Sequence, residues 1–324
     1  MINAQHAARL GAALMVFAFA AHSHAFCLTH TCEPKTEQCE FVDECNITGK
    51  TLFWASSTIS FDVQEDASYK VTPDRKTFQL AADGSKQLLL TPETLDMVAT
   101  NAFYTWVNAD CGGGAHPKIR LKDLGFVSCG KPEYNKDQPN ANVIAFHDAP
   151  WPYTDTGADT LALTTVFFNG DTGEIYDANV EINTNQDTFA VGNADESQLD
   201  LNAVLTHELG HFLGLSHSAS SHPEATMYSS YMPGMVTLAQ DDEDAICASL
   251  PPDRTAKTDS YIPRHGWSGE CAGPGSNGFL GLGGCCSTAV GSHSPRGAVL
   301  GLWAFGLGLA AFRGRTRRKR TPRA

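Results

Sequence analysis

The sequence lacks a hydrophobic run long enough to cross a bilayer as a helix. Two apolar stretches, Leu10–Ala21 and Ala298–Phe312, contain 12 and 15 residues, whereas a spanning helix needs about 20. We therefore expect the first stretch to belong to a cleaved signal and the second to a processed tail. A plain tail anchor is the alternative for the second.

Acidic residues are missing from both ends of the chain, and basic residues are scarce between them. Residues 1–25 and 286–324 contain no Asp or Glu but hold nine of the 23 Lys and Arg. Residues 26–285 therefore carry 14 basic and 36 acidic side chains, a formal charge of −22. Such a surface repels nucleic acid and anionic membranes and suits divalent cations. We expect no nucleic-acid partner, and membrane contact only through the C-terminal tail.

Residues 1–25 have the features of a secretory signal peptide. Arg9 supplies the positive charge, Leu10–Ala21 supplies the apolar stretch, and residues 23–25 (Ser-His-Ala) supply small residues for cleavage. Export agrees with the ten cysteines, because thiols pair as disulfides in an oxidising compartment. Four of them lie in a Cys-rich segment, residues 26–50: Cys27, Cys32, Cys39 and Cys45. We expect two disulfides there, and a zinc knuckle is the alternative.

The most informative stretch begins at His207 and ends at His217, and reads His-Glu-Leu-Gly-His-Phe-Leu-Gly-Leu-Ser-His. On a helix, His207 and His211 project from the same face. Gly214 can adopt a positive φ, so the helix can end there and the chain can return His217 to the same point. Three imidazoles with a fourth position left open are typical of a catalytic zinc site. Glu208 lies beside them and is the candidate general base.

His-Glu-x-x-His-x-x-Gly-x-x-His is the signature of the metzincin metalloproteases, and the chain resembles this family. Ser218, directly after the third histidine, is similar to the matrixin branch. Ala225–Ser229 resembles the Met-turn, in which Met227 would form an apolar floor beneath the histidines. An ordinary buried methionine is the alternative. Leu238–Ile246, with its Asp-Asp pair, resembles the last helix of the matrixin catalytic domain.

The resemblance covers about residues 51–251 and implies an α+β fold of the metzincin type. That fold has a twisted, mostly parallel sheet with an antiparallel edge strand, an active-site helix with the zinc motif, and a small C-terminal subdomain with the Met-turn and a final helix. The residue pattern predicts a helix from Thr91, its N-cap, through Pro92 in the first turn to Trp106. Its predicted buried face is Leu95, Val98, Ala99, Ala102, Phe103 and Trp106. Strands are predicted at Ile59–Val63, Asn142–Phe146 and Leu161–Phe168.

The resemblance implies zinc-assisted hydrolysis of peptide bonds. Zinc on the three histidines would lower the pKa of a water molecule to about 7, and Glu208 would accept its proton and deliver it to the departing amine. An extended protein or peptide substrate would pair with the edge strand. The candidate residues of that strand are Leu161, Ala162, Leu163 and Thr164. A strand that serves only the core is the alternative.

A second metal is suggested less directly. Asp177 and Glu181 occupy places that resemble matrixin calcium ligands, and oxygen ligands suit calcium. Solvated strand carboxylates are the alternative reading of both. Among the remaining histidines, His147 is the one candidate for a second zinc ligand.

An exported peptidase must be kept inactive until it meets its substrate, a state called latency. We expect no folded propeptide to do this, because only about 25 residues separate the signal from the first strand. Residues 129–133 (Cys-Gly-Lys-Pro-Glu) look like a fragment of the inhibitory motif of animal matrixins, but they lie inside the predicted catalytic domain. We expect Cys129 to form a structural disulfide with Cys111. A free thiol in the Cys-rich segment that caps the zinc is a hypothesis for latency.

The C-terminal region reads as a linker and a sorting tail. Residues 252–284 are rich in Pro, Gly and Ser, as linkers are. Cys285 and Cys286, the apolar stretch Ala298–Phe312 read as a helix, and the following arginines resemble the MYXO-CTERM sorting signal of myxobacteria and relatives. That resemblance implies export machinery and a C-terminal sorting protease as partners. It also implies secretion or attachment at the bacterial cell surface.

These features together predict an exported, matrixin-like zinc endopeptidase. Two other functions stay open. The first is a catalytically silent, metal-containing binding protein of the cell surface, although a purely structural site has no need of Glu208. The second is a metal-dependent hydrolase of a non-protein substrate or of cell-wall peptide cross-links.

Overall fold

The computed structural model describes residues 26–72, 91–153, 160–185, 189–191, 199–232, 234–271 and, for the backbone alone, 300–308. The proposed signal peptide, residues 272–284 of the linker, Cys285 and Cys286 lie outside the described residues. In chain order the elements are β1 (Phe41–Val42), β2 (Cys45–Asn46), β3 (Phe53–Trp54), β4 (Thr58–Gln64), β5 (Val71–Thr72), α1 (Pro92–Val107), β6 (Arg120–Val127), β7 (Val143–Phe146), β8 (Thr160–Asn169), β9 (Glu174–Ile182), β10 (Phe189–Ala190), β11 (Leu199–Asp200), α2 (Leu201–Phe212), α3 (Gln240–Ser249) and β12 (Leu300–Gly308).

The main sheet has the strand order β12-β8-β9-β7-β4-β6, and β3 pairs with β9 outside this path. The pairs β4–β6, β4–β7, β7–β9 and β3–β9 are parallel, as expected for a sheet whose connections cross over between strands. The pairs β8–β9 and β12–β8 are antiparallel. The mostly parallel sheet expected from the sequence is therefore present, with two antiparallel strands at one side.

Helix α1 forms as its sequence predicts. Thr91 is the N-cap, its hydroxyl accepts from the Thr94 backbone N–H at 3.3 Å, and Pro92 fills the first turn, where a missing N–H costs nothing. The buried side chains are Leu95, Val98, Ala99, Ala102, Phe103 and Trp106. This prediction is confirmed residue by residue, because the spacing of apolar residues directly determines the face that packs on the sheet.

The two faces of the main sheet differ in composition. The inner face, which packs against α1 and α2, is apolar and carries Phe61, Ile144 and Val180 in the principal core. On the outer face the same strands bury polar side chains: Ser60, Asp62, Asp177, Asn179 and Glu181. Alternating side-chain direction along a strand explains why neighbouring residues serve such different environments.

The outer face is buried because the chain crosses it twice, before β7 and after α3. Trp267 donates its indole N–H to Asp62 Oδ1 at 2.9 Å, and Tyr134 stacks on Tyr176 at 5.6 Å between ring centroids. The Asn140 amide donates to the Arg264 carbonyl at 2.9 Å, which joins the two crossing segments. Carboxylates that the strand pattern leaves open to solvent are therefore covered.

Four disulfides link the described residues. Cys27–Cys45 and Cys32–Cys39 confirm the two disulfides predicted for the Cys-rich segment and contradict the zinc knuckle and the free thiol there. The predicted Cys111–Cys129 pair is wrong, because Cys111 bonds Cys247 and Cys129 bonds Cys271. Strand β6 runs between Cys111 and Cys129, and eight extended residues span about 26 Å, far beyond disulfide reach.

The apolar stretch near the C-terminus is a strand where the sequence predicts a helix. Residues 300–308 form β12, which pairs with β8 from Leu300↔Asn169 to Gly308↔Thr160. Three glycines in these nine residues weaken a helix, and the backbone of β8 offers unpaired groups on its far side. Among the described residues, no helix combines the length and apolarity needed to cross a bilayer.

Candidate active site

Helix α2 holds two of the three predicted metal ligands. Asp200 caps its N-terminus by accepting from the Asn202 backbone N–H at 2.9 Å. The helix is then fixed from two sides, because the indole N–H groups of Trp106 and Trp54 donate to the carbonyls of Thr206 and Phe212, each at 2.8 Å. His207 and His211 consequently project from a helix with little freedom to move.

The helix ends in a way that returns the third histidine. Gly214 has φ = 98°, and its N–H donates to the His211 carbonyl at 2.9 Å. The Leu215 N–H donates to the Gly210 carbonyl at 3.0 Å, which completes a Schellman motif. An added Cβ at Gly214 would lie 3.2 Å from the Leu52 carbonyl oxygen, so both conformation and space favour glycine.

The three histidines converge. One ring nitrogen from each of His207, His211 and His217 lies within 4.8 Å of the others. His211 Nε2 and His217 Nε2 are 3.2 Å apart. His207 Nε2 is buried and has no hydrogen-bond partner among the described residues. A buried nitrogen without a partner is costly unless it coordinates something, so this set fits a metal ion.

The hydrogen bonds of the Nδ1 atoms determine the tautomers of His207 and His211. His207 Nδ1 lies 2.6 Å from the Thr226 carbonyl oxygen, and His211 Nδ1 lies 2.9 Å from that of Leu215. Because a carbonyl oxygen can only accept, each Nδ1 carries the proton and each Nε2 keeps its lone pair for a ligand.

Burial keeps the three rings neutral. It lowers the pKa of His207 to about 3 and that of His217 to about 4, with the neighbouring His217 a further cause for His207. Burial and the other two imidazoles place the pKa of His211 well below its usual value. Neutral imidazole is the form that binds zinc, so the cluster needs no deprotonation at neutral pH.

Glu208 lies on the same helix and faces β8. Its Oε2 is 2.6 Å from the Thr164 hydroxyl, and its Oε1 has no hydrogen-bond partner among the described residues. Burial raises the pKa of Glu208 to about 8. A divalent cation on the adjacent histidines would favour the charged form again. Thr164 thus fixes one oxygen of this carboxyl group and leaves the other available.

The turn at residues 225–229, which the sequence predicts to be a Met-turn, lies directly beneath α2. Met227 is 1% exposed, and a Cβ added at Gly210 would meet its Sδ at 2.2 Å, so this glycine permits the close approach. Asp242 on α3 accepts from the backbone N–H groups of Thr226, Met227 and Ala239 at 2.7 to 2.9 Å. The carboxylate therefore holds the turn against the last helix.

The adjacent aspartate holds the chain that follows the third histidine. The Ser218 hydroxyl donates to Asp241 Oδ2 at 2.6 Å, and the Ser218 N–H donates to the Met227 carbonyl at 2.9 Å. The Asp-Asp pair noted in the sequence is thus a support for both parts of the site. Residue spacing alone could not assign these contacts, nor those of Thr164, because each joins segments distant in the chain.

The predicted calcium ligands do not form one site. Asp177 and Glu181 are four residues apart on β9, which separates their Cα atoms by about 13 Å. Asp177 Oδ1 accepts from the Asn179 amide, while Glu181 contacts His147 Nε2 at 2.6 Å and the Tyr153 hydroxyl at 2.5 Å. His147 is therefore a partner of Glu181, and it belongs to no metal-ligating group among the described residues.

The predicted substrate strand lies beside the site but is not an edge in this structure. Thr164 contacts Glu208 from β8. On its other side, β8 pairs with β12, with Leu163 opposite Gly306 and Thr164 opposite Phe305. A peptide could pair with β8 there only after β12 had left.

Comparison with known proteins agrees with this geometry. A family model described as Matrixin matches residues 141–249, which include the three histidines, Glu208 and Met227. Matrix metalloproteinase-25 of Mus musculus is 32% identical over 124 residues, 35% of this chain and 19% of that protein. Its counterpart from Homo sapiens is 33% identical over 107 residues, 32% of this chain and 18% of that protein. The chain thus spans about a fifth of the curated relatives it matches. These matches support a matrixin-like metalloprotease with a zinc site.

Proposed function

We propose that this chain is an exported, zinc-dependent endopeptidase of the matrixin type, with His207, His211 and His217 as zinc ligands and Glu208 as general base. The observation that carries the proposal is the convergence of three neutral imidazoles, two buried and that of His217 partly buried, beside a Glu208 oxygen without a partner among the described residues. The Matrixin match over the same residues supports it independently.

The roles of the protein groups follow from their contacts. When bound, zinc supplies a Lewis acid that polarises the scissile carbonyl and lowers the pKa of a water molecule. Glu208 Oε1 accepts the proton of the attacking water and returns it to the departing amine. Thr164 holds Oε2 at 2.6 Å and so orients the carboxylate. The Thr226 and Leu215 carbonyls orient the imidazoles of His207 and His211.

Substrate binding and location are proposed from the surrounding chain. An extended peptide pairs with Leu161, Ala162 and Leu163 on β8, once β12 has left that strand. Four disulfides suit an oxidising compartment, in agreement with export directed by residues 1–25. The tail with Cys285 and Cys286 directs sorting to the bacterial cell surface.

The test combines zinc stoichiometry with digestion of a peptide library by the wild-type protein, Glu208→Gln and Glu224→Gln. Glu224 is exposed and lies seven residues beyond His217, so it serves as the matched control. We expect Glu208→Gln to keep one zinc ion and to lose cleavage by at least about 100-fold, within the range for a general base. Glu224→Gln should match the wild type.

Each alternative has its own outcome. Cleavage by Glu208→Gln at the wild-type rate would remove Glu208 from the mechanism. A wild-type protein that binds zinc and cuts no library peptide would favour the metal-containing binding protein. Cleavage of cell-wall peptide cross-links alone would favour the other hydrolase.

A further inference from the structure

The third histidine depends on a loop for its position. His207 and His211 lie within α2, whereas His217 follows the helix on residues 213–220, which we call the ligand loop. A helix fixes its side chains through its own hydrogen bonds, but a loop needs outside partners. The geometry of the whole cluster therefore depends on what holds the ligand loop.

The Cys-rich segment holds one side of this loop. The Thr29 N–H donates to the Gly214 carbonyl at 3.0 Å, and the Ser216 N–H donates to the Cys27 carbonyl at 2.9 Å. Between these bonds, Leu28 and Leu215 form an antiparallel bridge. Residues 27–29 thus act as a short strand that pairs with the chain just before His217.

The Thr29 side chain of the Cys-rich segment is linked to His211 through the carbonyl oxygen of Leu215. The Thr29 hydroxyl donates to the Leu215 carbonyl at 2.9 Å, and the same oxygen lies 2.9 Å from His211 Nδ1. Thr29 is 2% exposed, so water does not replace this contact. Thr29 therefore fixes the carbonyl that orients the imidazole of His211.

The other side of the loop is held by the hairpin of the Cys-rich segment. Glu44 lies in the turn between β1 and β2, and its carboxylate accepts from the Ser220 N–H at 2.7 Å and from the Ser220 hydroxyl at 2.6 Å. These contacts lie three residues beyond His217. Hydrogen bonds from the Cys-rich segment thus hold the ligand loop on both sides of His217.

One disulfide joins the two sets of contacts with the ligand loop. Cys27, whose carbonyl accepts from Ser216, bonds Cys45, which directly follows Glu44. The second disulfide of the segment, Cys32–Cys39, closes a loop of its own, and neither of its cysteines has a hydrogen bond to the ligand loop among the described residues. The chain therefore offers a matched pair of disulfides, of which only one connects contacts around His217.

We propose that the Cys-rich segment is a positioning device for the metal site, in which Thr29, Glu44 and the Cys27–Cys45 disulfide hold the ligand loop so that His217 meets the two helical histidines. This inference rests on the proposed function for the identity of the metal. It adds a role for residues that precede the catalytic domain and that the Matrixin match, at residues 141–249, does not include.

The test measures zinc affinity by competition with a chromogenic chelator. The variants are Cys27→Ser/Cys45→Ser and, as the matched control, Cys32→Ser/Cys39→Ser. We expect the first to weaken zinc binding about tenfold or more, as loss of partners of metal ligands does, and the second to change it less than about threefold. The visible absorption of the Co²⁺-substituted protein should change in the first variant alone, since it reports ligand geometry rather than stability.

A third variant covers the case in which a disulfide variant does not fold. Thr29→Val keeps the shape of the side chain and removes the hydroxyl, and we expect zinc affinity to fall about three- to tenfold. Thr36→Val, at an exposed position of the same segment, is its control. Equal losses in variant and control, or unchanged affinity in both Thr29→Val and Cys27→Ser/Cys45→Ser, would overturn the proposal.

The outcomes separate this proposal from the proposed function. A wild-type protein that shows the expected zinc affinities but cleaves no peptide refutes the endopeptidase and leaves the positioning device in place. A wild-type protein that binds no zinc overturns both. Full cleavage with unchanged zinc affinity in all variants overturns the positioning device alone.

Discussion

The inner and outer faces of the main sheet both bury ionisable groups, with different results. Beside the inner face, His207 Nε2 and Glu208 Oε1 are buried without partners among the described residues. On the outer face the same is true of Asp62 Oδ2 and Asp177 Oδ2. Of these four atoms, only His207 Nε2 converges with two similar ligand atoms, those of His211 and His217, within 4.8 Å. A buried polar atom without a partner is thus a weak sign of a site, whereas convergence of several lone pairs is a strong one.

The largest expected effect tests that convergence. We expect His207→Ala to weaken zinc binding by more than about 100-fold, because loss of even an outer partner of a ligand costs roughly 10- to 100-fold. His147→Gln is the control, because the Nε2 of this histidine lies 2.6 Å from Glu181 on the outer face. We expect the zinc affinity of this variant to change less than about threefold, which is smaller than the loss caused by removal of one outer partner of a ligand. Competition with a chelator measures both.

A comparable loss in His147→Gln would show that the outer face also holds zinc. The distinction between the faces would then fail. Retained zinc affinity in His207→Ala would remove that residue from the ligand set.

The second prediction concerns the carboxylate that supports the site from below. Asp242→Ala leaves three backbone N–H groups, those of Thr226, Met227 and Ala239, without their acceptor. Because each buried donor without a partner costs about 1–3 kcal/mol and such costs overlap, we expect the free energy of unfolding to fall by about 3 kcal/mol. Urea denaturation measures this loss.

Asp244→Ala, at an exposed position of the same helix, is the control for Asp242→Ala. Its free energy of unfolding should change by less than about 0.5 kcal/mol. Equal losses in the two variants would attribute the effect to α3 as a helix and not to the support of the Met-turn.

The third prediction tests the outer face through pH. Burial raises the pKa of Asp62 to about 7, although the hydrogen bond that this carboxylate accepts from Trp267 acts to lower the pKa. The folded state therefore keeps a proton that the unfolded chain releases near pH 4, so stability falls as pH rises from about 4 to 7. We expect Asp62→Asn, which keeps the acceptor oxygen, to reduce this fall by up to roughly 1 kcal/mol per pH unit.

The measurement is the free energy of unfolding of wild type and variant at several pH values between 4 and 8. Asp66→Asn, at an exposed position just beyond β4, should run parallel to the wild type. If the difference between Asp62→Asn and wild type did not vary with pH, Asp62 would not be the group that binds this proton.

The sequence anticipated the inner face better than the outer face. The spacing of His207, Glu208 and His211 on a helix, and Gly214 before His217, is local, so it determines which side chains can meet. The buried face of α1 was equally readable. The partners Thr164 and Thr226 were not, because they join the site from distant segments and nothing in a lone threonine indicates a contact.

Non-local pairing also explains what the sequence could not predict elsewhere. Cys111 and Cys247 are 136 residues apart, and their pairing depends on how α3 lies beside the segment that follows α1. Asp62 and Asp177 alternate with apolar residues, a pattern typical of a solvent-facing strand, and only the two crossing segments, with Trp267 bonded to Asp62 and Tyr134 stacked on Tyr176, cover them. An apolar run such as residues 300–308 does not by its periodicity distinguish a helix from a strand, and the pairing with β8 decides between them.

The smallest expected effect concerns β12, the strand at one edge of the main sheet. Deletion of residues 285–324 removes β12 and opens β8 beside Glu208. We expect kcat/KM for library peptides to rise about three- to tenfold, because a tethered strand competes with substrate at its effective concentration. Ala304→Pro keeps the tail and weakens the β12–β8 pairing, since proline cannot donate to the ladder. It should reproduce part of the rise. Unchanged kcat/KM in both variants would mean that substrate does not use β8, and the site would then be defined by its histidines and Glu208 without the sheet.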